Sequence, residues 1–248
     1  MLRPAMSLPR NDLGQPIGLP LHSWKPPSAP ARSPIQGALC RLEPLDSERH
    51  ARSLFEANAL DVDRRNWTYL SYGPFDSFAA YRDWLLENAA SADPLFFAVV
   101  EPEASRALGV CAYMRITPES GSIEVGHLNY SPLLQRRPAA TEAMFLMMKH
   151  AFELGYRRYE WKCDALNAPS RAAAERLGFS FEGIFRQATV YKQRSRDTAW
   201  YSIIDSEWPR LEEAFVKWLD PANFDGGQQR LRLSELTAAA RAKCGAAS

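Results

Sequence analysis

The segment from Gln135 to Thr141 has the residue types of an anion-binding turn. It reads Gln-Arg-Arg-Pro-Ala-Ala-Thr and stands between a predicted strand and a predicted helix. The first turn of a helix carries main-chain N–H groups without intrahelical acceptors, together with the positive end of the helix dipole, so it can bind a phosphate group. Pro138 suits the first helical position because its fixed φ angle matches the helix. The amides that would stay available are those of Arg136, Arg137, Ala139, Ala140 and Thr141.

A simpler interpretation of this segment also exists. A helix that begins with arginines often has solvated charges and binds nothing. Phosphate binding is favoured by the two cationic side chains and by the small residues Ala139 and Ala140, which let an anion approach the backbone closely. The segment alone leaves both interpretations open.

A second motif begins at Asn167. It reads Asn-Ala-Pro-Ser-Arg-Ala-Ala-Ala-Glu-Arg-Leu-Gly-Phe and is followed by Phe181-Glu-Gly. Asn167 is suited to cap a short helix, and Gly178 is suited to end it. Ser170 is then the third residue of that helix, where a hydroxyl commonly bonds to nearby backbone.

Strands and helices must hold the two motifs in place. Apolar runs and alternating patterns predict strands at residues 39–45, 95–100, 107–116, 122–130, 159–164, 179–185 and 198–204. Helical periodicity and capping residues predict helices at 49–57, 76–85, 138–154, 168–177 and 207–219. This order predicts an α/β (α+β) fold, with a sheet of mixed direction and helices on its faces.

The chain divides into three predicted parts. Residues 1–36 hold 8 of the 18 prolines and are expected to form an extended N-terminal arm. Residues 37–220 carry the strands and helices of one domain. Residues 221–248 form a C-terminal tail with room for one helix near Ser234 to Ala242. The arm and the tail are the segments through which a homodimer would form.

Composition excludes several classes of protein. Lys plus Arg number 30 against 29 Asp plus Glu, so no global field attracts nucleic acid or an anionic membrane. The four cysteines and four histidines have no metal-ligand spacing, so neither a metal site nor a disulfide framework is expected. No apolar run is long enough to span a membrane, and the first residues lack the apolar core of a secretory signal. We therefore expect a soluble cytoplasmic protein.

Together the two motifs resemble the GNAT superfamily of N-acetyltransferases, and more narrowly its branch of RimJ/RimL-type ribosomal-protein N-terminal acetyltransferases. The family's phosphate loop has the form Gln/Arg-x-x-Gly-x-Gly/Ala, and this chain has Gln-Arg-Arg-Pro-Ala-Ala from Gln135. The distal pattern Asn-x-x-Ser, Glu-x-Leu-Gly-Phe and Glu-Gly also matches, as does Arg-Asp-x-x-x-Tyr from Arg196 before Glu207-Trp208. Pro138 stands where the family usually has Gly, which removes one N–H donor.

The resemblance implies a mostly antiparallel sheet of six to seven strands and transfer of an acetyl group from acetyl-CoA to an amine. It places the pyrophosphate of the cofactor on the helix start after Gln135. It places the pantetheine arm between the strand that ends at Tyr130 and the strand at 159–164. The cofactor-binding residues that it implies are Leu128, Tyr130, Gln135, Arg136, Arg137, Ala139, Ala140, Thr141 and Asn167.

Acetyl transfer to an amine needs a base, because an ammonium ion has no lone pair, and a donor that stabilises developing negative charge. The resemblance makes Ser170 the candidate acid or donor near the sulfur. Glu124 is the expected base, because a buried carboxylate can have a raised pKa. His127 and Asp164 are rivals for that role. Regular alternation would put Glu124 and His127 on opposite faces of the strand.

The acceptor pocket is expected to draw on the aromatic segment between the first two helices. Trp67, Tyr69 and Tyr72, together with His127, are the predicted substrate-binding residues, although these aromatic side chains would equally serve to cover the sheet. Trp161 and Cys163 are expected in the core. A basic cluster, suited to an acidic peptide or to solvent, consists of Arg186, Lys192, Arg194 and Arg196.

The predicted function is thus transfer of an acetyl group to a primary amine, either on a small molecule or at a peptide N-terminus. Two other functions stay open. One is a non-catalytic acyl-CoA-binding regulator built on the same fold. The other is an RNA-associated protein that uses the basic strand near Arg194, which the near-zero net charge disfavours. No metal, membrane or nucleic-acid partner is expected.

Overall fold

A computed structural model describes residues 8–246, with side chains described to residue 242. Its centre is one large sheet with the strand order β1-β2-β3-β4-β5-β6-β8-β7. Within this sheet β5 and β6 run parallel, whereas the other neighbouring strands are antiparallel. The strands are β1 (Ile35–Gln36), β2 (Arg41–Pro44), β3 (Leu95–Glu101), β4 (Arg106–Thr117), β5 (Ser122–Tyr130), β6 (Arg158–Asp164), β7 (Ser180–Tyr191) and β8 (Arg194–Ile204).

Helices cover both faces of the sheet. They are α1 (Ser47–Asn58), α2 (Phe78–Ala89), α3 (Pro138–Glu153), α4 (Ala168–Arg176), α5 (Trp208–Leu219) and α6 (Leu233–Ala246). The predicted α/β class with a mixed, mostly antiparallel sheet is therefore confirmed. The sheet has eight strands rather than six or seven, because the two-residue strand β1 adds to its edge.

The helix ends follow the local chemistry of the sequence. The Asp46 carboxylate accepts the amide hydrogens of Glu48 and Arg49, which satisfies free N–H groups at the start of α1. The Asn167 side chain does the same for Ser170 at the start of α4. Gly178 ends α4 with φ +95°, a conformation in which a residue without Cβ is unstrained. The chain therefore turns directly from α4 into β7.

The two faces of the sheet pack against different sets of helices. One hydrophobic cluster joins the sheet to α3, α4, α5 and α6 and contains Ile123, Val125, Tyr159 and Trp161. The second cluster joins β3 and β4 to α1, α2 and the loop before α2, and it contains Phe96 and Trp67. Side chains that alternate along one strand thus enter two separate cores.

The β7–β8 hairpin extends well beyond the strands predicted at 179–185 and 198–204. Lys192 and Gln193 form its two-residue turn, with φ angles of +46° and +59°. Two consecutive positive φ angles match the right-handed twist of the flanking strands. Most side chains of β7 are exposed, so this part of the strand lacks the apolar alternation from which it could be predicted.

A short C-terminal hairpin precedes the last helix. Strands β9 (Phe224–Asp225) and β10 (Gln228–Gln229) are joined by Gly226 and Gly227, both with positive φ. A two-residue turn of this kind favours glycine because both residues adopt the left-handed conformation. Helix α6 then packs against α5 and α4.

The proposed domain limits at 37 and 220 stay predictions, and residues 1–7 of the arm lie outside the described residues. In the described part of the arm, Trp24 lies beside the guanidinium group of Arg157. None of the described helices is both long and apolar enough to cross a bilayer. Cys40, Cys111 and Cys163 are free thiols.

Candidate active site

Strands β5 and β6 separate partway along their length. Their parallel pairing runs from Ser122 opposite Arg158 to Val125 opposite Trp161. Beyond Val125, β5 continues to Tyr130 alongside β4, and β6 continues to Asp164 alongside β8. The edge of β5 from residue 126 to 130 therefore faces a gap in the sheet, where its main-chain groups are open to a ligand.

A bulge at His127 changes which way the side chains of β5 point. Asn129 pairs with Val110 and Gly126 with Ala112, so His127 and Leu128 together oppose one residue of β4. His127 has a φ of +51°. An extra residue of this kind shifts the alternation of the strand by one.

The predicted placement of Glu124 and His127 on opposite faces is therefore wrong. Glu124 lies between Ile123 and Val125, both in the core beneath α3, so it points to the other face. The His127 ring stacks on Tyr72 and lies 4.9 Å from the Phe96 ring, in the second core cluster. Both side chains lie on the face that carries α1 and α2.

A cavity of about 870 Å³ opens beside the gap. The end of β5, the turn before α3 and the first turns of α4 form its near wall. Asn129 lines this cavity, and both polar atoms of its side chain are buried without a hydrogen-bond partner among the described residues. A buried amide in this state costs free energy unless a ligand or water satisfies it.

The turn before α3 faces the cavity with its main chain and with two arginines. Arg136 adopts a left-handed φ of +61°, next to the extended Arg137 that precedes the helix. The amides of Arg137 and Ala140 donate to the carbonyl oxygens of Leu134 and Arg137, at 3.2 and 3.1 Å. Among the described residues, no acceptor pairs with the amides of Arg136 and Ala139.

Fewer amides are thus available for a phosphate than the five expected from the sequence, because those of Arg137 and Ala140 are engaged within the turn. The residues between Gln135 and Thr141 that line the cavity are Gln135, Arg136, Arg137, Pro138, Ala140 and Thr141. Ala139 packs against the core instead. The Gln135 side chain bonds to the Asn66 side chain and to the carbonyl oxygen of Tyr130, both at 2.8 Å, which fixes the turn to the end of β5.

Asn167 and Ser170, at the start of helix α4, also line the cavity. Asn167 Oδ1 accepts the amide hydrogen of Ser170 at 3.1 Å. The Trp161 indole N–H donates to Ser170 Oγ, also at 3.1 Å. Because Ser170 Oγ is already an acceptor, its own O–H is free to donate elsewhere.

Glu124 lies one residue before the gap, in an ion-paired cluster. Its carboxylate is 2.7 Å from Arg115 Nη1 and 2.9 Å from Lys162 Nζ. Lys162 also contacts Glu160 at 2.6 Å and lies over the Trp200 ring. Burial raises the pKa of Glu124 above its ordinary value, although both cations act to lower it.

A model of the acetyltransferase (GNAT) domain matches residues 40–180. The chain belongs to the GNAT acetyltransferase family. The cavity, the turn before α3 and the gap between β5 and β6 are thus features of an acetyltransferase.

Solved structures agree with the family match. The acetyltransferase is 48% identical to a GCN5-related N-acetyltransferase from Brucella melitensis, with a TM-score of 0.85 over 88% of this chain and 100% of that chain. It is 44% identical to a probable GNAT-family acetyltransferase from Chromobacterium violaceum, with a TM-score of 0.73 over 79% and 98% of the two chains. A comparison with curated proteins gives no match.

The ribosomal-protein branch is a more distant neighbour. RimL, the ribosomal L7/L12 alpha-N-protein acetyltransferase, is 20% identical to this acetyltransferase, with a TM-score of 0.59 over 69% of this chain and 93% of that chain. A likeness at this identity concerns the fold alone.

The two rivals of Glu124 have different surroundings in the acetyltransferase. Burial, with a smaller contribution from Arg115, lowers the pKa of His127 to about 4, so its ring is neutral at pH 7. Asp164 accepts the Tyr191 hydroxyl at 2.8 Å and the amide hydrogen of Leu166 at 2.9 Å. Asp164 thus holds the β6–α4 loop.

The aromatic segment before α2 lies on the same face as Glu124. Trp67 is buried in the second core, and Tyr72 stacks between Trp84 and His127, with ring centroids 4.4 and 5.6 Å away. Tyr69 is partly exposed, and its hydroxyl donates to the carbonyl oxygen of Leu166. Trp67 and Tyr72 thus pack in the second core, whereas Tyr69 contacts the β6–α4 loop.

The basic cluster on the β7–β8 hairpin is partly engaged by the same segment. Lys192 Nζ donates to the carbonyl oxygen of Trp67 at 2.8 Å, and Arg194 donates to that of Thr68 at 3.0 Å. The tip of the hairpin is thereby attached to the segment before α2. Two members of the cluster therefore hold loops together.

Several residues of the site were not predicted from the sequence. Lys162 was missed because only the pairing of β6 with β5 brings it to Glu124. Asn66 and Asn129 belong to no recognisable motif, although a polar residue such as Asn129 at the end of an apolar strand can indicate a functional position.

Trp161 and Cys163 are buried in the core, as expected, and Trp161 also lines the cavity. Within residues 8–242, no cluster of metal-ligand side chains occurs.

Proposed function

We propose that the protein transfers the acetyl group of acetyl-CoA to a primary amine, on a small molecule or at a peptide N-terminus. Members of the GNAT family bind acetyl-CoA. The observation that carries the proposal is the joint placement of the turn before α3 and the open edge of β5 around one cavity. Such a cavity offers donors for a diphosphate and main-chain groups for an amide-containing arm.

The residues that line the cavity fit this cofactor. The Arg136 amide and the side chains of Arg136 and Arg137 would bind the diphosphate. The open main chain of β5 at Leu128 and the unsatisfied Asn129 side chain would bind the amide groups of the pantetheine arm. The Tyr130 carbonyl oxygen is a poorer partner for that arm than the sequence suggests, because the side chains of Asn66 and Gln135 already donate to it.

When bound, acetyl-CoA supplies an acetyl group activated as a thioester. Glu124 would take a proton from the attacking amine, since its raised pKa makes it a stronger base than an exposed carboxylate. Glu124 lies one residue before the point where β5 and β6 separate, so its carboxylate would act on an amine bound in the gap. His127 is the weaker candidate for this role because its lowered pKa makes it a poor base.

Ser170 would donate its O–H to the leaving sulfur. The Trp161 indole fixes Ser170 Oγ as an acceptor, so the hydroxyl proton is directed away from the indole. Ser170 lines the cavity, whereas Glu124 lies on the other face of β5. Base and donor would thus act from the two sides of the gap.

The acceptor would enter on the face that carries Glu124, Tyr69 and His127. A peptide N-terminus would be the acceptor if the enzyme followed the RimJ/RimL-type branch that its sequence resembles. A small amine fits the same chemistry. A panel of acceptors therefore decides between them.

The test combines calorimetry with a thiol-release assay. CoA should bind the full-length protein, and acetyl-CoA should release thiol with at least one member of a panel of small primary amines and N-terminal peptides. Absence of CoA binding would overturn the proposal, and CoA binding without turnover would favour the non-catalytic regulator.

Glu124→Gln should lower kcat by roughly 100-fold, as expected for a general base. Glu160→Gln is the matched control, because Glu160 contacts the same lysine and should be far less sensitive.

A further inference from the structure

The cavity extends beyond the turn before α3 to a second wall that comes from the C-terminal segment. Two arginines of the turn, Arg136 and Arg137, form one side. The far side, which we call the C-terminal wall, consists of Trp218, Phe224, Gly227, Gln228, Gln229 and Arg232. These residues belong to the end of α5, the β9–β10 hairpin and the residue before α6.

Hydrogen bonds within the segment hold the C-terminal wall in place. The Asn223 side chain donates to the carbonyl oxygen of Trp218 at 2.9 Å and accepts the amide hydrogen of Leu231 at 2.8 Å. The Trp218 indole donates to Gln229 Oε1 at 2.8 Å, and the Phe224 ring packs edge-on against the Trp218 ring. The wall is thus a built part of the cavity rather than a loose tail.

The charge around the cavity has one sign. Arg136, Arg137, Arg176 and Arg232 line it, and none of the described lining residues is Asp or Glu. Arg176 Nη2 donates to Thr141 Oγ1 at 3.1 Å, and its guanidinium group lies over the Trp218 ring. Arg176 therefore stands between the start of α3 and the C-terminal wall.

Arg176 and Arg232 differ in their surroundings, because Arg176 is partly buried whereas Arg232 is exposed. In the part of the chain with described side chains, no carboxylate lies within 4 Å of Arg176, and Arg232 has Glu235 at 4.0 Å. The unpaired, partly buried guanidinium group of Arg176 has a desolvation cost that a bound anion would offset, and the exposed Arg232 side chain lines the same cavity. A diphosphate held by the turn at Arg136 and Arg137 leaves Arg176 and Arg232 for a further anionic group.

We propose that Arg176 and Arg232 bind the phosphate on the 3′ oxygen of the ribose of CoA, so that the C-terminal wall forms part of the cofactor site. This inference rests on the proposed function. Coenzyme A carries three phosphates, two in the diphosphate and one on the ribose. The two groups of arginines along one cavity match this distribution of charge.

Isothermal titration of the full-length protein with CoA and with 3′-dephospho-CoA tests the assignment. The wild-type protein should bind CoA about 10-fold more tightly, as expected when a phosphate loses its charge-assisted hydrogen bonds. Arg232→Ala should remove much of this difference by weakening CoA binding several-fold and leaving the affinity for 3′-dephospho-CoA unchanged. Arg176→Gln should act in the same direction.

Arg230→Ala is the matched control. Arg230 is exposed, lies two residues from Arg232 and does not line the cavity. Equal affinity of the wild-type protein for the two ligands would overturn the inference and leave the proposed function intact. An equal loss of affinity for both ligands in Arg232→Ala would also overturn it, because the arginine would then act on the cavity as a whole. If neither ligand binds the wild-type protein, the proposed function fails first.

Discussion

Lys162 Nζ lies 2.9 Å from a carboxylate oxygen of Glu124, across the parallel strands β6 and β5. Both side chains are almost fully buried. The same ammonium group contacts Glu160, so one cation is shared by two carboxylates on neighbouring strands. The ionisation of Glu124 therefore depends on the pairing of the two strands that separate to form the gap.

Lys162→Gln should shift the pH dependence of activity. Removing the cation takes away an interaction that lowers the pKa of Glu124, so this pKa should rise further. If Glu124 is the base, the acidic limb of the kcat/KM profile should move to higher pH. The measurement is a pH–rate profile with a reactive amine. Lys149→Gln is the control, because Lys149 pairs with Glu153 and Glu212 on other elements. An unshifted acidic limb would argue against Glu124 as the base.

Ser170→Ala should lower kcat by roughly 100-fold and leave the KM for acetyl-CoA nearly unchanged, since a proton donor acts mainly in the transition state. Steady-state kinetics over a range of acetyl-CoA concentrations separate the two parameters. The exposed Ser206→Ala serves as the control. A large rise in KM with unchanged kcat would instead make Ser170 a residue that holds the cofactor.

Asn129→Leu should have opposite effects on stability and on cofactor binding. Its side-chain amide is buried and has no hydrogen-bond partner in the described part of the chain, so an apolar side chain of similar size should raise the free energy of unfolding by about 1 kcal/mol. The affinity for CoA should fall about 10-fold, because the amide would no longer bond to the cofactor. Denaturant unfolding and calorimetry measure the two quantities. Asn88→Leu, on α2 and away from the cavity, should leave CoA binding unchanged.

His127→Asn should make the free energy of unfolding less dependent on pH. The pKa of His127 falls from 6.5 to about 4 on folding, so the unfolded chain takes up a proton first as the pH decreases. The wild-type protein should therefore lose stability between pH 6.5 and 4, by up to about 3 kcal/mol. Asparagine tolerates the positive φ at this position, so the backbone should not be strained.

Urea unfolding at several pH values from 7 to 4 compares His127→Asn with the wild-type protein. His22→Asn, an exposed position on the N-terminal arm, is the control and should follow the wild-type curve. Parallel curves for His127→Asn and the wild-type protein would contradict the expectation, because the imidazole would then titrate alike in the folded and unfolded chains.

Local chemistry was enough to predict the caps of α1 and α4 and the position of the turn before α3, whereas α2 begins after Ser77 rather than at Asp76 and extends to Ala89. Asp46 and Asn167 cap helices because a side-chain oxygen next to free amides needs no distant partner. The strands of both cores were predicted for a similar reason, since burial on one or two faces leaves a pattern in the residue types.

Features that depend on register or on contacts between distant segments could not be predicted. The bulge at His127 depends on the positive φ angle of this one residue, and a histidine within a strand does not by itself indicate a bulge. The contact of Lys162 with Glu124 requires the register of β5 against β6. The C-terminal wall requires α4, α5 and the β9–β10 hairpin to meet, and residues 221–248 gave no reason to place them at the cavity.

The early end of the β5–β6 ladder limits how this enzyme can be made more robust. Adding main-chain hydrogen bonds beyond Val125 would strengthen the sheet at its parallel seam. It would also occupy the main-chain donors and acceptors that the pantetheine arm of the proposed cofactor needs, so each added hydrogen bond would close part of the gap between β5 and β6. Stabilising substitutions should therefore be sought in the two cores and on the outer strands, where tighter packing leaves the opening untouched.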